Sequence, residues 1–376
     1  MLIQGKLTKA AVFAIEMDEY TTNQLMSMLE NPVFEDARVA IMPDVHAGKG
    51  TLVGLTTTFN RLIAPAVIGS DIGCGILAVN TGLEAVDYPK FDTFVRRNIR
   101  IGHSINKNPR FDYFTPEDSL KRLIDEICPE MEDRVLRSVG TLGGGNHFLE
   151  LDKDSSGSIW LVIHSGSRTL GQQVCDFYLK KAREWFRKNY NSEEIPWRLE
   201  FMPVDEGGEE YLKHMAITQQ YAVLNRNVMA YVILSEYFGL DPSVLETVSS
   251  IHNYFNFEDN VVRKGAISAH KGEKLIIPLN MRDGAIMGIG KGNPEWNNSA
   301  PHGAGRMLSR MQAKKAVSIE DFQKSMEGIF TTCVHQGTID ESPMAYKNGE
   351  MIINAVGPTV DITNRLLPVW NFKAAS

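Results

Sequence analysis

The amino-acid sequence predicts a mixed α/β fold in a single domain. Short apolar runs bounded by Gly, Pro or Asp predict β-strands, and longer amphipathic stretches between them predict helices. The two kinds of element interleave irregularly, unlike the steady alternation of a doubly wound parallel sheet. No Gly/Ser-rich linker and no internal repeat divides the chain. We therefore expect one domain over residues 1–376, with central β-sheets flanked by helices.

Six apolar runs are the predicted strands of these sheets. Each run is bounded by residues that favour turns or chain reversals. They cover residues 39–42, 75–79, 147–151, 159–163, 274–278 and 285–289. The run at 159–163 (IWLVI) contains no polar residue, which is typical of a buried strand.

Three stretches have the apolar spacing of helices. The first is predicted to start at Thr115, as an N-cap followed by proline at the first helical position, and to end before Pro129. The second, residues 174–186, has an apolar face opposite a basic one. The third covers residues 209–238 and is predicted to stop at Gly239, since glycine commonly terminates helices.

Composition and charge indicate an ordinary globular protein. Of 376 residues, 43% are hydrophobic and 23% are charged. The formal net charge of −7 argues against a broad basic surface for nonspecific nucleic-acid binding. No apolar run is long enough to span a bilayer, and residues 1–18 mix charges into their apolar residues, unlike a signal peptide. We therefore predict a cytoplasmic protein without membrane association.

The four cysteines, Cys74, Cys128, Cys175 and Cys333, lie far apart and form no Cys-x-x-Cys pair. From this spacing we predict neither a disulfide framework nor a four-cysteine zinc site. Cys128 and Cys175 fall in helical patterns and are expected to be small buried side chains. Cys74 differs, because it lies between two glycines, next to the turn residue Asp71.

Five residues spread over the chain have the chemistry of metal ligands. They are Asp71, Cys74, His147, His164 and His252. Each lies among glycines or at the end of an apolar run, where a rigid strand can hold a side chain in place. Any one of these histidines alone is more simply explained as structural. Together they are too many for one tetrahedral zinc and suit two ions with Cys74 bridging. Thiolate and imidazole favour zinc by softness, but the residues leave the metal open.

A histidine among very small residues is the strongest clue to chemistry. His302 opens the segment 302–306 (HGAGR) and precedes a predicted helix at 307–315, whose N-terminus would favour phosphate. No Ser, Cys or Asp neighbours it in the sequence, so the imidazole itself is a candidate nucleophile toward phosphorus. A basic cluster that includes Arg306 and Arg310 adjoins it. The alternative interpretation is a glycine-rich turn with an incidental histidine.

The order of these motifs resembles the RtcB family of RNA-splicing and RNA-repair ligases. The resemblance rests on residues 42–46 (MPDVH), 71–75 (DIGCG), 145–148 (GNHF), 164–168 (HSGSR), 263–266 (RKGA), 302–306 (HGAGR) and 343–347 (PMAYK). It extends over roughly residues 39–373, nearly the whole chain.

The resemblance implies a specific reaction. Such ligases join RNA ends bearing a 2′,3′-cyclic phosphate or 3′-phosphate to 5′-hydroxyl ends, with GTP and two manganese(II) ions as cofactors. It implies that His302 attacks the α-phosphorus of GTP and that GMP then passes to the RNA end. The implied partners are tRNA or other cleaved RNA, with a protein activator as a further candidate. The resemblance therefore changes the expected metal to manganese, although the soft thiolate and imidazole donors by themselves favour zinc.

The resemblance also implies two sets of site residues. The implied metal ligands are Asp71, Cys74, His147, His164 and His252, with Cys74 shared. The implied nucleotide contacts are Asn146, His147, Phe148, Leu149, Glu150, His252, Asn253, Pro278, Leu279, Asn280, Met281, Ala285, Gly303, Ala304, Gly305, Tyr346 and Lys373.

The chain departs from the family pattern at two places. Where many relatives have serines in the guanine pocket, this chain has Asn280 and Ala285, which puts strict GTP preference in question. Pro301 precedes His302 in place of a small polar residue and fixes the local backbone.

Two other classes of function remain as alternatives. A dinuclear-metal RNA phosphodiesterase or cyclic-phosphate hydrolase would use the metal ligands without nucleotidyl transfer. A noncatalytic RNA-binding relative would use neither the metal ligands nor nucleotidyl transfer. His302 with its small neighbours disfavours the hydrolase, because hydrolysis needs no such nucleophile.

Overall fold

Strands and helices alternate irregularly along the chain, and most strands pair into two sheets. The computed structural model describes residues 1–14, 16–190 and 199–374. The strands are β1 Leu2–Gln4, β2 Lys9–Val12, β3 Val39–His46, β4 Val53–Thr58, β5 Leu62–Ile63, β6 Gly75–Asn80, β7 Phe148–Lys153, β8 Ile159–Ser165, β9 Met202–Pro203, β10 Thr247–Ile251, β11 Asn253–Asn256, β12 Val261–Lys264, β13 Ala266–Ser268, β14 Lys274–Asn280, β15 Gly284–Gly290, β16 Ser299–Pro301, β17 Phe330–Thr331 and β18 Val360–Lys373. The helices are α1 Glu19–Met28, α2 Tyr88–Asn98, α3 Asp118–Ile127, α4 Glu132–Ser138, α5 Arg168–Asn189, α6 Glu209–Tyr231, α7 Arg310–Ala316, α8 Ile319–Ser325 and α9 Gly349–Ala355.

The larger sheet is nearly closed. Its strands follow the order β10-β6-β8-β7-β18-β15-β14, and β17 pairs with β18. The two end strands approach each other, and the backbone N–H of Ile276 in β14 donates to Ser250 Oγ in β10 at 3.0 Å. Curling a sheet onto itself protects its edges and leaves an interior that side chains must fill.

The alternation of side chains along β8 divides it between two cores. Trp160 and Val162 face the interior of the nearly closed sheet, together with Phe148 of β7 and other apolar residues. Leu161 and Ile163 face outward into a second core, which helix α2 covers. His164 continues the inward-facing series, because successive residues of a strand point to opposite faces. The strand therefore delivers a histidine to the end of the interior.

The second sheet carries the other half of the site. Its order is β1-β2-β3-β4-β12-β11. Asp44 lies within β3, and Lys264 is the last residue of β12. The largest apolar core lies between this sheet and helices α3, α5 and α6. On α5, Val174, Tyr178 and Phe186 are buried, which confirms the predicted apolar face.

The mixed α/β class with central sheets flanked by helices is confirmed, and all six predicted strands are present. The strand predicted at 159–163 is longer than expected and includes His164, which the sequence suggested would lie just beyond it. The strand predicted at 147–151 starts one residue later, at Phe148.

Two predicted helix starts were wrong. Helix α3 begins at Asp118 with Glu117 as its N-cap, not at Thr115. Helix α7 begins at Arg310, because the Ser309 side chain accepts from the backbone N–H of Gln312 and forms a capping box. The third predicted helix exists as α6, followed by a π-helical segment, Val232–Tyr237, with Phe238 as its C-cap. Gly239, whose φ is +67°, follows directly, as predicted for the residue that stops the helix.

Among the described residues, no helix combines the length and apolar character that crossing a membrane requires.

Replacing Leu161 with alanine should destabilise the protein by about 2–5 kcal/mol, since a fully buried leucine leaves a cavity when truncated. The matched control is Leu367→Ala, because Leu367 lies on a strand of the same sheet and is 50% exposed. We expect the control to change stability by less than about 1 kcal/mol. Urea unfolding followed by circular dichroism measures both, and equal midpoints for the two variants would contradict the assignment of the outer core.

Candidate active site

The turn before β6 places Asp71 and Cys74 side by side. Gly73 between them has a φ of +73°, and a Cβ there would lie 2.8 Å from the Cβ of Ala222. Only glycine tolerates both this backbone conformation and the close approach of helix α6. The turn is tied to β11 by a hydrogen bond from the Gly73 N–H to the carbonyl of Asn253, at 2.7 Å.

Each histidine of the predicted set comes from a different strand end. His147 directly precedes β7, His164 lies near the end of β8, and His252 follows β10. The Nδ1 atoms of His147 and His164 lie 2.8 and 3.1 Å from the backbone carbonyls of Leu142 and Asn146. Such contacts to backbone carbonyls fix the ring orientation and leave Nε2 free for a ligand.

The five side chains converge at one point. Cys74 Sγ lies 3.2 Å from His164 Nε2 and 3.5 Å from His147 Nε2. His147 Nε2 is 3.1 Å from Asp71 Oδ2, and His164 Nε2 is 3.2 Å from His252 Nε2. The ligand atoms form two groups, Cys74–His164–His252 and Asp71–Cys74–His147, each within 4.8 Å. Cys74 belongs to both groups, as the bridging prediction requires.

Electrostatics keep most of these groups in their ligand forms. Burial lowers the pKa of His164 and His252 well below 6.5, so both imidazoles are neutral. Burial alone would raise the pKa of Asp71, but the neighbouring His147 holds it below its usual range. Burial and the charge of Asp71 raise the pKa of the Cys74 thiol. Binding a metal at Cys74 must therefore displace a proton.

A buried cation lies beneath the cluster. Arg226 of α6 is 1% exposed, and its Nη1 donates to the carbonyls of Gly73 at 2.8 Å and Ser165 at 2.7 Å. These bonds tie α6 to the turn before Cys74 and to the end of β8 beside His164. The charge of Arg226 also lowers the pKa of Cys74, which opposes the effects of burial and of Asp71.

The donor set fits two divalent cations that share a thiolate. Neutral His164 and His252 bring their Nε2 atoms to 3.2 Å, where two lone pairs repel unless a proton or a cation lies between them. Carboxylate, imidazole and thiolate donors together suit zinc and other first-row divalent ions.

A cavity of about 330 Å³ opens in front of the cluster. Its wall brings together all the predicted metal ligands except His147, the glycine-rich segment, and the predicted nucleotide contacts Tyr346 and Lys373. The wall is formed by His46, Val53, Asp71, Cys74, Asn146, Phe148, Glu150, His164, His252, Asn253, Lys264, Gly265, Pro278, Leu279, Asn280, Met281, His302, Gly303, Ala304, Gly305, Arg306, Arg310, Tyr346 and Lys373.

His302 has a partner that its sequence neighbours do not reveal. Its Nδ1 lies 2.7 Å from Oδ2 of the fully buried Asp44, and its backbone N–H donates to the same oxygen at 3.2 Å. The ring lies 5.0 Å from that of His252, centroid to centroid. None of the other described residues forms a hydrogen bond with Nε2, and His302 lines the cavity.

The glycine-rich segment is not at a helix N-terminus, and that prediction was wrong. Residues 303–309 form a loop before α7, and Arg306 holds it by donating to the carbonyl of Leu308 at 3.1 Å. Gly305 has a φ of +73°, and a Cβ there would overlap the carbonyl oxygen of Asp44. The glycine is required because the loop packs against the strand that supplies Asp44.

A buried carboxylate organises the opposite side of the cavity. Glu341 accepts from the Tyr346 hydroxyl at 2.6 Å and pairs with Lys373 at 2.8 Å. Burial alone would raise the pKa of Glu341, but the charges of Lys373, Arg310 and Arg306 hold it at about 2. The aromatic ring of Tyr346 and the ammonium group of Lys373 are thereby fixed at the wall.

Three of the predicted contacts do not line the cavity. Leu149 is fully buried in the outer core, because it alternates with the inward-facing Phe148 and Glu150. Ala285 packs inside the nearly closed sheet, opposite Pro278 in the register of β14 and β15. His147 lies behind Cys74, in the metal cluster.

The structure adds site residues that sequence reasoning did not assign: His46 and Lys264 line the cavity wall, and the buried Asp44 lies behind His302. Asp44 and His46 lie in the segment 42–46, and Lys264 lies in the segment 263–266. Both segments belong to the series of motifs that resembles the family, and this was the sequence signal that could have identified the three residues. Burial lowers the pKa of His46 to about 4, and Lys264 donates to the carbonyl of Ile68. Neither Arg226 nor Glu341 carries a sequence signal, because each acts through distant backbone or side-chain partners.

Fold and site together define a class of protein: a mixed α/β domain with a candidate dinuclear metal centre facing a histidine that a buried carboxylate orients. A family model described as "tRNA-splicing ligase RtcB" matches residues 24–126 and 97–374. The chain belongs to the RtcB family.

Curated relatives agree with this assignment. The RNA-splicing ligases RtcB1 and RtcB from two strains of Escherichia coli are each 32% identical to this chain, over 92% of both sequences. The tRNA-splicing ligase RtcB of Archaeoglobus fulgidus is 26% identical, over 90% of this chain and 89% of its own length.

Replacing Cys74 with alanine should weaken binding at both metal positions, by more than about 100-fold each, because one sulfur belongs to both ligand groups. His252→Ala should weaken only one position. Isothermal titration with a divalent ion such as manganese(II) resolves the two sites.

Cys128→Ala is the control, since Cys128 is buried just after α3 and belongs to neither ligand group. A Cys74→Ala protein that still bound two ions with unchanged affinity would exclude a bridging thiolate.

Proposed function

We propose that this protein is an RNA ligase that joins 2′,3′-cyclic phosphate or 3′-phosphate ends to 5′-hydroxyl ends through a covalent His302–GMP intermediate, with GTP and two manganese(II) ions. The observation that carries this proposal is the Asp44–His302 pair, at 2.7 Å, in the same cavity as the ligand cluster. Family membership supports the RNA-ligase class, since the relatives are named RNA-splicing and tRNA-splicing ligases. The substrates would be tRNA or other cleaved RNA, with a protein activator as a further candidate partner.

The geometry of His302 explains how it could act as a nucleophile. When Nδ1–H donates to Asp44, Nε2 keeps its lone pair and can attack phosphorus. Attack at the α-phosphorus of GTP would form the N–P bond and release pyrophosphate. Water would first open a 2′,3′-cyclic phosphate by cleaving its P–O2′ bond, which gives a 3′-phosphate. The RNA 3′-phosphate would then take GMP from Nε2, and the 5′-hydroxyl would displace GMP to form the phosphodiester. The negative charge of Asp44 would stabilise the developing positive charge on the imidazole.

The metals and the basic wall have complementary roles in this proposal. Asp71, Cys74, His147, His164 and His252 would hold two manganese(II) ions, which would neutralise the phosphates and polarise their oxygens. Lys264, Arg306 and Arg310 add positive charge to the same wall. Gly303, Ala304 and Gly305 let a phosphate approach the main chain closely.

We assign the remaining wall residues to the nucleotide. The proposed contacts are Asn146, Phe148, Glu150, His252, Asn253, Pro278, Leu279, Asn280, Met281, Gly303, Ala304, Gly305, Tyr346 and Lys373, with His147, Leu149 and Ala285 supporting them from behind. Tyr346 would stack on the base, and Glu150 would accept hydrogen bonds from guanine N1–H and the N2 amino group.

Base selection should depend mainly on Glu150. The Asn280 side chain, at a position where relatives have serine, is already engaged: its amide nitrogen donates to Asp283 at 2.8 Å, and its oxygen accepts from the Arg282 and Asp283 N–H groups. It therefore has little capacity left for the base. Ala285 offers no polar group.

Incubation with manganese(II) and GTP labelled at the α-phosphate should give a covalent adduct that is labile to acid and stable to alkali. His302→Ala should abolish the label, and Asp44→Asn should slow labelling about 100-fold, because the variant loses the charge that orients and stabilises the imidazole. His103→Ala, at an exposed histidine, is the control. Undiminished labelling of a folded His302→Ala protein would exclude His302 as the nucleophile.

Glu150→Ala should lower the preference for GTP over ATP by about ten- to a hundredfold, since a charge-assisted hydrogen bond contributes roughly 1.5–3 kcal/mol. We expect the wild type to prefer GTP with measurable use of ATP. Rates of guanylylation and adenylylation in both proteins provide the measurement, and manganese affinity serves as the control that should stay constant. An unchanged GTP-to-ATP ratio would remove Glu150 from base recognition.

A further inference from the structure

A second acid lies directly behind Glu150. Both Glu150 and Asp152 belong to β7, two residues apart, and so their side chains point to the same face. That face is the interior of the nearly closed sheet. Glu150 reaches the cavity wall and is 3% exposed, whereas Asp152 lies one step deeper and is fully buried.

Asp152 has no hydrogen-bond donor among the described residues. Neither of its carboxylate oxygens has a partner, and Oδ1 of Asn371, the residue opposite Glu150 on β18, has none either. The Asn371 amide nitrogen donates elsewhere, to the Met281 carbonyl at 3.1 Å. Three buried acceptors without a donor are costly. Protonation of Asp152 would turn one of its two carboxylate oxygens into a hydrogen-bond donor.

Among the described residues, no cation pairs with Asp152. Lys373 of β18 pairs with Glu341 at 2.8 Å, and Arg306 and Arg310 also face Glu341. On β8, the Trp160 indole N–H donates to Asp154, and His164 is neutral. The apolar side chains of the interior, such as Val162, Ala285 and Leu366, supply no donor.

We propose that Asp152 is a specificity-determining positioning residue: as a neutral acid it lets Glu150 present a carboxylate to guanine, and as an anion it drives a proton onto Glu150. This inference rests on the proposed function, in which Glu150 faces the purine.

The two protonation states of Glu150 recognise different bases. A carboxylate accepts two hydrogen bonds, which matches N1–H and the N2 amino group of guanine. A carboxylic acid donates through its hydroxyl and accepts through its carbonyl, which matches N1 and the N6 amino group of adenine. The proton on Glu150 therefore sets the preferred purine.

The direction of the pH dependence follows from these states. Burial, and then the charge of Asp152, raises the pKa of Glu150, while the charge of Lys373 opposes both; burial raises the pKa of Asp152 to about 8. Below about pH 8, where Asp152 is neutral, each pH unit should raise the ratio of ionised to neutral Glu150, and with it the GTP-to-ATP affinity ratio, about tenfold. Above that pH, Asp152 ionises in the protein with neutral Glu150, and the ratio should level off.

The experiment measures affinity ratios from about pH 6.5 to 9. The probes are the α,β-methylene analogues of GTP and ATP, which cannot transfer their nucleotidyl group, competing with a fluorescent nucleotide on the manganese-loaded protein. The wild-type profile should bend near pH 8. Asp152→Asn cannot ionise, so its profile should continue to rise, and the variant should be about tenfold more selective for the GTP analogue than the wild type at pH 9.

Glu150→Gln is the matched variant, because its amide both donates and accepts; its ratio should be low and independent of pH. A wild-type profile without a bend would overturn the inference even if Asp152→Asn failed to fold, and so would coincident wild-type and Asp152→Asn profiles. If GTP labelled at the α-phosphate still modified His302 in that case, the proposed role of Asp152 would be wrong and the proposed function would stand. Absence of GTP labelling and of nucleotide binding would overturn the proposed function as well.

Discussion

The antiparallel register of β6, β7 and β8 is the constraint on which the site depends. It places Ile76 and Phe148 opposite His164, and Gly75 opposite Ser165. The Asp71–Cys74 turn, His147 and His164 consequently meet at one end of the nearly closed sheet. A shift of one residue in this register would turn His164 outward, because the side chains of a strand alternate between its faces.

Helix α6 secures the loops at that end of the sheet. The Asn225 amide nitrogen donates to the carbonyls of Thr141 and Gly166, and its oxygen accepts from the N–H of Gly140. The adjacent Arg226 binds the carbonyls beside Cys74 and His164. Buried polar side chains are retained here because the irregular backbone near the ligands would otherwise have unsatisfied carbonyls.

Charge is distributed unevenly across the cavity. One side gathers neutral imidazoles, an ionised Asp71 and a thiol, all suited to cations. The other side gathers Lys373, Arg306 and Arg310 around Glu341, so its net charge is positive and suited to phosphate. His302 lies between the two sides, with Asp44 behind it. The side chain of Glu150 forms no hydrogen bond with any other described residue, which leaves its protonation open to control by Asp152.

The sequence by itself determined six of the strands, the mixed α/β class and the five metal-ligand candidates, because apolar runs and glycine-flanked ligands are local signals. Motif order further indicated the family and the importance of His302. Only the tertiary structure decided that Asp44 orients His302, that Arg226 supports the cluster, and that Glu341 organises the opposite wall. It also moved the start of α7 away from the glycine-rich loop and turned Leu149 into the outer core. These features depend on strand register and on contacts between distant residues, several of them more than a hundred positions apart. A local sequence pattern cannot predict such contacts.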